Sequence, residues 1–364
     1  MCGQREQRHG MREVVGRPRL PGGEALGRHA PLESMRAKGA KPHREKAKNS
    51  CKRTHHHPTP PAAMVSGSWG PGPDEATEGD AMTHKAVILA AGYGSRFLPV
   101  TRVVPKELLP IIARPALDLV IEELCDAGIT DILVITSRRK RAVEDWFDHD
   151  LELEAAVANH PARHRLALPR DLKVTFERQR RMRGTGHALL QARSFAGTDP
   201  VVVAFPDDLF GGANVSRAHI DVHQQTGCSV LATQALPPHE DVSRYGVLDM
   251  TADGQVRGIV EKPAPGTEPS RHISLGRYLY TPAFFDRLAH HWAGHSGEGE
   301  YYPMAALSDL VGQGRLRAAE TTAHRWDTGH PLGYLQCVLD HALDDPTLAE
   351  PLRTWITKRL GLSR

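Results

Sequence analysis

A mostly parallel α/β sheet with helices on both faces is the fold class this sequence predicts, and three observations predict it. Short apolar runs, Ala86-Val87-Ile88-Leu89-Ala90-Ala91 and Ile132-Leu133-Val134-Ile135, are too short for helices and suit strands buried on both faces. Between such runs lie segments with apolar residues at helical spacing, so strand and helix alternate. A glycine turn, Gly92-Tyr93-Gly94, closes the first run, where an open α/β sheet binds its ligands.

The 364 residues, 40% hydrophobic, can bury one large α/β domain or two modest ones. Five scattered cysteines without CxxC spacing argue against a disulfide framework or zinc site and for a reducing cytoplasm. No apolar run approaches membrane-spanning length. Charge is uneven: residues 1–60 carry 14 Lys and Arg against 5 Asp and Glu, whereas residues 85–364 carry 32 against 34. The globular part thus gives no reason to invoke nucleic acid. Residues 1–84 have no sustained periodicity and no apolar signal region. They read as a disordered tail, or as sequence upstream of a true start at Met64 or Met82, with His55-His56-His57 solvated. A catalytic domain over 85–345 and a helical tail over 346–364 complete the expected organisation.

In residues 85–110 the glycines bare successive N–H groups that can cradle phosphates, and Arg96 and Lys106 can reach the same polyanion. Pro99 and Pro105 exclude a regular helix there. Residues 115–127 show helical spacing at Leu117, Val120, Ile121 and Leu124, with Gly128 as the stop. The second strand, helices over 140–147 and 151–157, and a strand over 172–176 follow. That strand leads to Gln179, and Gly184-Thr185-Gly186-His187-Ala188 then opens a helix reaching about Arg193. His187 reads as a satisfied helix residue and not as a catalyst.

Residues 201–208 predict a fourth strand ending in Asp207 and Asp208, where Mg²⁺ on a triphosphate would be held. A helix over 219–225 and strands over 228–236, 244–248 and 256–260 come next. The strand at 256–260 runs into Glu261-Lys262-Pro263. The helices over 331–342 and 345–360 close the sheet or form a subunit contact.

The string AAG-x-G-x-R, Leu-Pro, Thr, Pro-Lys-Glu, Leu-Leu-Pro resembles the signature of sugar-1-phosphate nucleotidylyltransferases, and most closely the bacterial UTP–glucose-1-phosphate uridylyltransferases. The likeness covers about residues 85–345. It implies a Rossmann-like fold of nucleotide-diphospho-sugar transferase type, with a small β insertion on the sugar side. It also implies roles: Arg96 and Lys106 catalytic; Ala91, Gly92, Gly94, Gln179 and Gly184 binding nucleotide, with Gln179 reading the pyrimidine edge. Gly246, Glu261, Lys262 and Gly276 would bind the sugar phosphate, and Asp207 with Asp327 would hold Mg²⁺. Asp208 is left as a supporting group or a cap.

The implied reaction joins UTP and glucose 1-phosphate to give UDP-glucose and pyrophosphate, in a cytoplasmic homo-oligomer (dimer or tetramer) without nucleic-acid or membrane partners. Two departures stand on the sugar and metal side. Glu300-Tyr301-Tyr302-Pro303-Met304-Ala305 replaces the usual Glu-Ile-Gln-Leu-Thr-Asp, and Trp326-Asp327-Thr328-Gly329 is closer to the thymidylyltransferase form. They keep open dTTP or another sugar 1-phosphate as substrate, and a non-catalytic regulatory paralogue as the remaining alternative.

Overall fold

The computed structural model describes residues 84–166 and 172–361. The expectation of a disordered or mis-started leader lies outside the described residues, apart from His84. Strand β1 (Lys85–Leu89) enters the core at once, with Ala86, Val87 and Ile88 fully buried. The next stretch winds through three 3-10 turns, Ser95–Phe97, Val100–Arg102 and Lys106–Leu108, because its prolines cannot continue a helix. The ribbon β2 (Pro110–Ile111) and β3 (Arg114–Pro115) leads to α1 (Ala116–Asp126), whose buried stripe is Leu117, Val120, Ile121 and Leu124. Gly128 ends it at φ +88°: its N–H donates to Cys125 and that of Ile129 to Leu124, the paired bonds of a glycine-terminated helix.

Strand β4 (Asp131–Thr136) pairs parallel with β1. After α2 (Arg141–Asp145) and α3 (Leu151–Ala156), β5 (Lys173–Arg178) pairs parallel with β4 at the sheet edge. Helices α4 (Gly184–Gln191) and α5 (Arg193–Ala196) return the chain to β6 (Val201–Ala204), parallel to β1 on its other side.

The fourth strand is shorter than expected. It stops at Ala204, since Pro206 has no N–H for a ladder, and Phe205-Pro206-Asp207 turn away. Asp208 opens a separate strand, β7 (Asp208–Gly211), which pairs antiparallel with residues 324–327 and not with the main sheet.

Beyond α6 (Val215–Thr226) and β8 (Ser229–Ala235), β9 (Gly246–Met250) and β10 (Val256–Glu261) form an antiparallel pair. The nine-residue β11 (His272–Tyr280) runs antiparallel to β6, β8 and β9. The main order is therefore β10-β9-β11-β6-β1-β4-β5, parallel from β6 to β5 and antiparallel around β11. Helices α7 (Pro282–Ala293) and α8 (Met304–Gly312) precede β12 (Leu316–Glu320), which is parallel to β8, and β13 (His324–Asp327). Helices α9 (Pro331–Asp344) and α10 (Ala349–Leu360) finish the described chain.

Strand alternation divides the core into two layers. Val87 and Leu89 face a cluster with Leu189, Phe284 and Leu310, whereas Ala86 and Ile88 face one with Leu117, Ile121 and Ile220. Helices thus cover both faces and leave the carboxyl ends of β1 and β6 open as the ligand crevice. No helix among the described residues is long and apolar enough to cross a membrane.

Candidate active site

Three distant segments meet at that edge. Arg96, in the first 3-10 turn, donates to the Gly329 carbonyl at 3.3 Å, just past the end of β13. The turn after β6 is tied to the same place, because both the N–H and the hydroxyl of Thr328 donate to the Asp207 carbonyl (2.8 and 3.0 Å). A Cβ built on Gly329 would lie 2.6 Å from Asp207 Oδ2 and 3.1 Å from Asp327 Oδ1. Two carboxylates 120 positions apart therefore converge on one point, which a glycine keeps clear.

The Lys106 ammonium completes the group by donating to the Asp207 carboxylate. Burial pulls the Lys106 pKa down, but the charges of Asp207 and Glu107 outweigh it and hold the ammonium above its ordinary range. Burial pushes Asp207 up, and Lys106, with help from Arg96, more than reverses that. Both groups stay charged at neutral pH.

Asp208 lines the same cavity but is bound by other partners. Its Oδ1 accepts from Arg325 Nε (2.9 Å) and NH2 (2.6 Å), and its Oδ2 accepts from the Gly276 N–H (2.6 Å). All of these bonds tie it to neighbouring segments of the protein. A Cβ at Gly276 would come within 2.5 Å of Asp208 Oδ2 and 2.9 Å of Phe205 Cβ, so that glycine is demanded by the seat of the acid. Beneath it Arg277 is fully buried and bonds Glu123 at 3.1 and 2.6 Å. The same guanidinium donates to the carbonyls of Phe205, Gly276 and Asp208 and so clamps the turn that carries Asp207. An arginine inside the apolar run of β11 was the one local signal for this clamp.

The sugar-side candidates line a cavity of about 540 Å³ that also reaches Arg96, Asp207 and Asp327. Glu261 and Lys262 leave β10 into it, with Gly246 and Gly276 in its walls. A Cβ on Gly246 would stand 3.1 Å from Glu261 Oε2. Lys262 sits at φ +48°, a left-handed backbone rare for lysine, held where its N–H donates to the Tyr245 carbonyl at 3.0 Å. Strain of this kind is kept where the surroundings demand it. Tyr302 and Met304 also line the cavity, so the departure in the 300–305 string falls inside it.

None of the nucleotide-side candidates lines that cavity, although Thr185, next to Gly184, does. Ala91 is buried at the end of β1, Gly92 is exposed with open space beside its Cα, and Gly94 (φ +66°) packs on Thr101 and Lys106. Gln179, at the carboxyl end of β5, is only 3% exposed and donates to the Gly184 carbonyl at 3.1 Å. Gly184 stands at φ +84°, and a Cβ there would meet the Tyr301 carbonyl oxygen at 2.6 Å.

Asp207 and Asp327 offer hard oxygen donors at one point. No group of three or more His, Cys, Asp or Glu among the described residues could hold an ion alone. Two carboxylates suit Mg²⁺, which fills the rest of its octahedron with phosphate oxygens and water.

An open sheet whose carboxyl edge gathers a glycine turn, cations and paired carboxylates defines a nucleotide-handling α/β protein. The chain belongs to the nucleotidyl transferase family, whose model matches residues 85–342. It is 36% identical over 281 residues to UTP–glucose-1-phosphate uridylyltransferase of Staphylococcus epidermidis, across 75% of this chain and 96% of that protein. The protein of the same description from Streptococcus pyogenes is 37% identical over 288 residues, across 75% and 93%. Among solved structures, a UTP-bound UDP-glucose pyrophosphorylase of Acinetobacter baumannii is 30% identical with a TM-score of 0.69, covering 78% of this chain and 100% of that one. Nucleotidyltransferases of this kind generally use a divalent metal.

Proposed function

We propose that the chain transfers the uridylyl group of UTP to α-D-glucose 1-phosphate, giving UDP-glucose and pyrophosphate. One observation carries the reading. Arg96, Asp207 and Asp327 share a single cavity with Glu261 and Lys262, and Lys106 is paired to Asp207 at its border. The names of the relatives support UTP and glucose 1-phosphate as the substrates within that geometry.

The attacking group needs no general base, since a sugar phosphate has a second pKa of about 6 and is mostly a dianion at neutral pH. The difficulty is to bring two polyanions together and to stabilise charge on the α-phosphorus and the leaving pyrophosphate. Lys262 holds the attacking phosphate, and Glu261 accepts from sugar hydroxyls. Arg96, Lys106 and the N–H groups of the glycine turn take the triphosphate. Asp207 and Asp327 would hold Mg²⁺, which would supply charge neutralisation for the triphosphate. Gln179 reads the base. Catalysis is assigned to residues 85–345, and the protein is taken as a cytoplasmic homo-oligomer.

Pyrophosphate release across a grid of UTP, dTTP and CTP against several sugar 1-phosphates tests the reading. UTP with glucose 1-phosphate is expected to have the highest kcat/KM. Asp207→Ala and Lys106→Ala are each expected to cut kcat by about 10²-fold or more with the fold intact by circular dichroism. Near-normal turnover in either would remove the assigned roles. Because Tyr302 and Met304 replace residues usual in the uridylyltransferases, the sugar axis of the grid is the sharper test of substrate.

A further inference from the structure

The Gln179 amide is held by two acceptors, and the second is a histidine. Its Nε2 lies 3.1 Å from the Gly184 carbonyl and 3.0 Å from His187 Nδ1. A carbonyl cannot donate, so the atom facing Gly184 must be the amide nitrogen. One N–H goes to Gly184, which leaves the other for His187, whose Nδ1 must then be unprotonated. Both amide hydrogens are thereby consumed. Oε1 makes no hydrogen bond among the described residues, although the side chain as a whole is buried.

We propose that His187 is a positioning residue that locks the Gln179 amide with its oxygen outward, making the base site an acceptor-only reader that selects uracil over cytosine. This rests on the reading of Gln179 as the base-contacting residue. Set opposite N3, the outward oxygen accepts the N3–H of uracil but meets a bare lone pair on cytosine N3, and the cytosine N4 amine reaches it only if the base shifts out of register. An amide with one free hydrogen would match either base by turning over. The histidine removes that freedom.

The environment of His187 keeps it in the required form. Burial, and then the charge of Arg183, lowers its pKa from the ordinary histidine value. The element packed on its ring, α7, offers Trp292, with centroids 5.1 Å apart, and Trp292 in turn contacts Arg183, His295 and Tyr301. Protonation would put a donor at Nδ1 facing the amide N–H. It would thus favour the flipped amide, with N–H toward the base, at the expense of the Gly184 bond. Selectivity is therefore present above the depressed histidine pKa and lost as pH falls through it.

The test is equilibrium binding of UTP and CTP, with magnesium, to the full chain by calorimetry, which separates this inference from the fate of catalysis. His187→Ala is expected to weaken UTP and to lower the Kd(CTP)/Kd(UTP) ratio by about tenfold. His187→Asn, whose Oδ1 replaces Nδ1 as acceptor, should restore the ratio to within about threefold of wild type. In wild type the ratio should hold from about pH 8 down to the ordinary histidine pKa of about 6.5 and fall below it, followed to the acid limit of the folded protein, and in His187→Asn it should stay flat, which also controls for titration of the nucleotides. A His187→Ala ratio equal to wild type, or an Asn variant that folds but does not restore it, overturns the proposal. Should the Ala variant fail to fold, a wild-type ratio that does not change with pH does the same.

Discussion

At the scale of single residues, buried charge is spent on holding the acid-bearing turn. Glu123 and Arg277 form an ion pair with Arg277 fully buried. Burial pushes the Glu123 carboxyl up, but Arg277, followed by Ser216, draws it below its ordinary range. Removing one partner of such a pair leaves an uncompensated charge, and costs of about 3–5 kcal/mol are usual. Arg277→Met is therefore expected to lose stability on that scale in urea unfolding at neutral pH. The sign of the pH dependence follows. In wild type, the contribution of Glu123 is full above its unfolded pKa of about 4.3 and is lost as pH falls through the lower folded value. In the variant the orphaned carboxyl titrates above 4.3 and gains from protonation, so the stability gap between the two should narrow on acidification. A gap that is constant with pH would show that Glu123 does not sense Arg277.

At the scale of elements, the glycines separate into those that packing demands and those that it does not. Gly184→Ala meets both a positive φ and the Tyr301 carbonyl, and is expected to destabilise by about 1–3 kcal/mol. Gly92→Ala meets nothing within 4 Å and should stay within about 0.5 kcal/mol of wild type. Thermal or urea unfolding of the two variants checks the contrast. The same division explains what the amino-acid string reveals. Strands β1, β4, β6 and β8 are apolar runs and can be read directly, as can α1 with its glycine stop. The ribbon of β7 and β13 pairs Asp208 with Asp327 across about a third of the chain and leaves no local period. Helices α7 and α8 escaped notice although Phe284, Phe285 and Leu288 mark a buried face, because histidines and glycines flank them. The candidate site was legible where a motif is contiguous, as at Arg96, Lys106 and Glu261-Lys262, which the fold brings to one edge. Arg277 with Glu123, 154 positions apart, and Arg325 with Asp208, 117 apart, have no meaning until the sheet is assembled.

At the scale of the molecule, the catalytic assignment to residues 85–345 predicts that a chain starting at Met82 keeps kcat/KM within about threefold of the full chain. A collapse of activity would assign the leader a part in function. The exposed apolar side chains Leu332, Leu335 and Leu339 on α9 and Trp355 on α10 are the expected subunit contact, so sedimentation should find a dimer or tetramer. Charged substitutions at Leu335 and Leu339 should shift it toward monomer, and an unchanged sedimentation coefficient would place the contact elsewhere. Strand β11 joins the two halves of the machine. Its Gly276 and Arg277 seat the turn that carries Asp207, while Ser274 and Tyr278 of the same strand line the cavity proposed for the sugar. A lineage drifting toward a new sugar therefore has little room to edit that strand without losing turnover, whereas Tyr302 and Met304 sit on a connection that can be rewritten. Divergence among descendants should accumulate in that connection first, leaving the strand nearly unaltered.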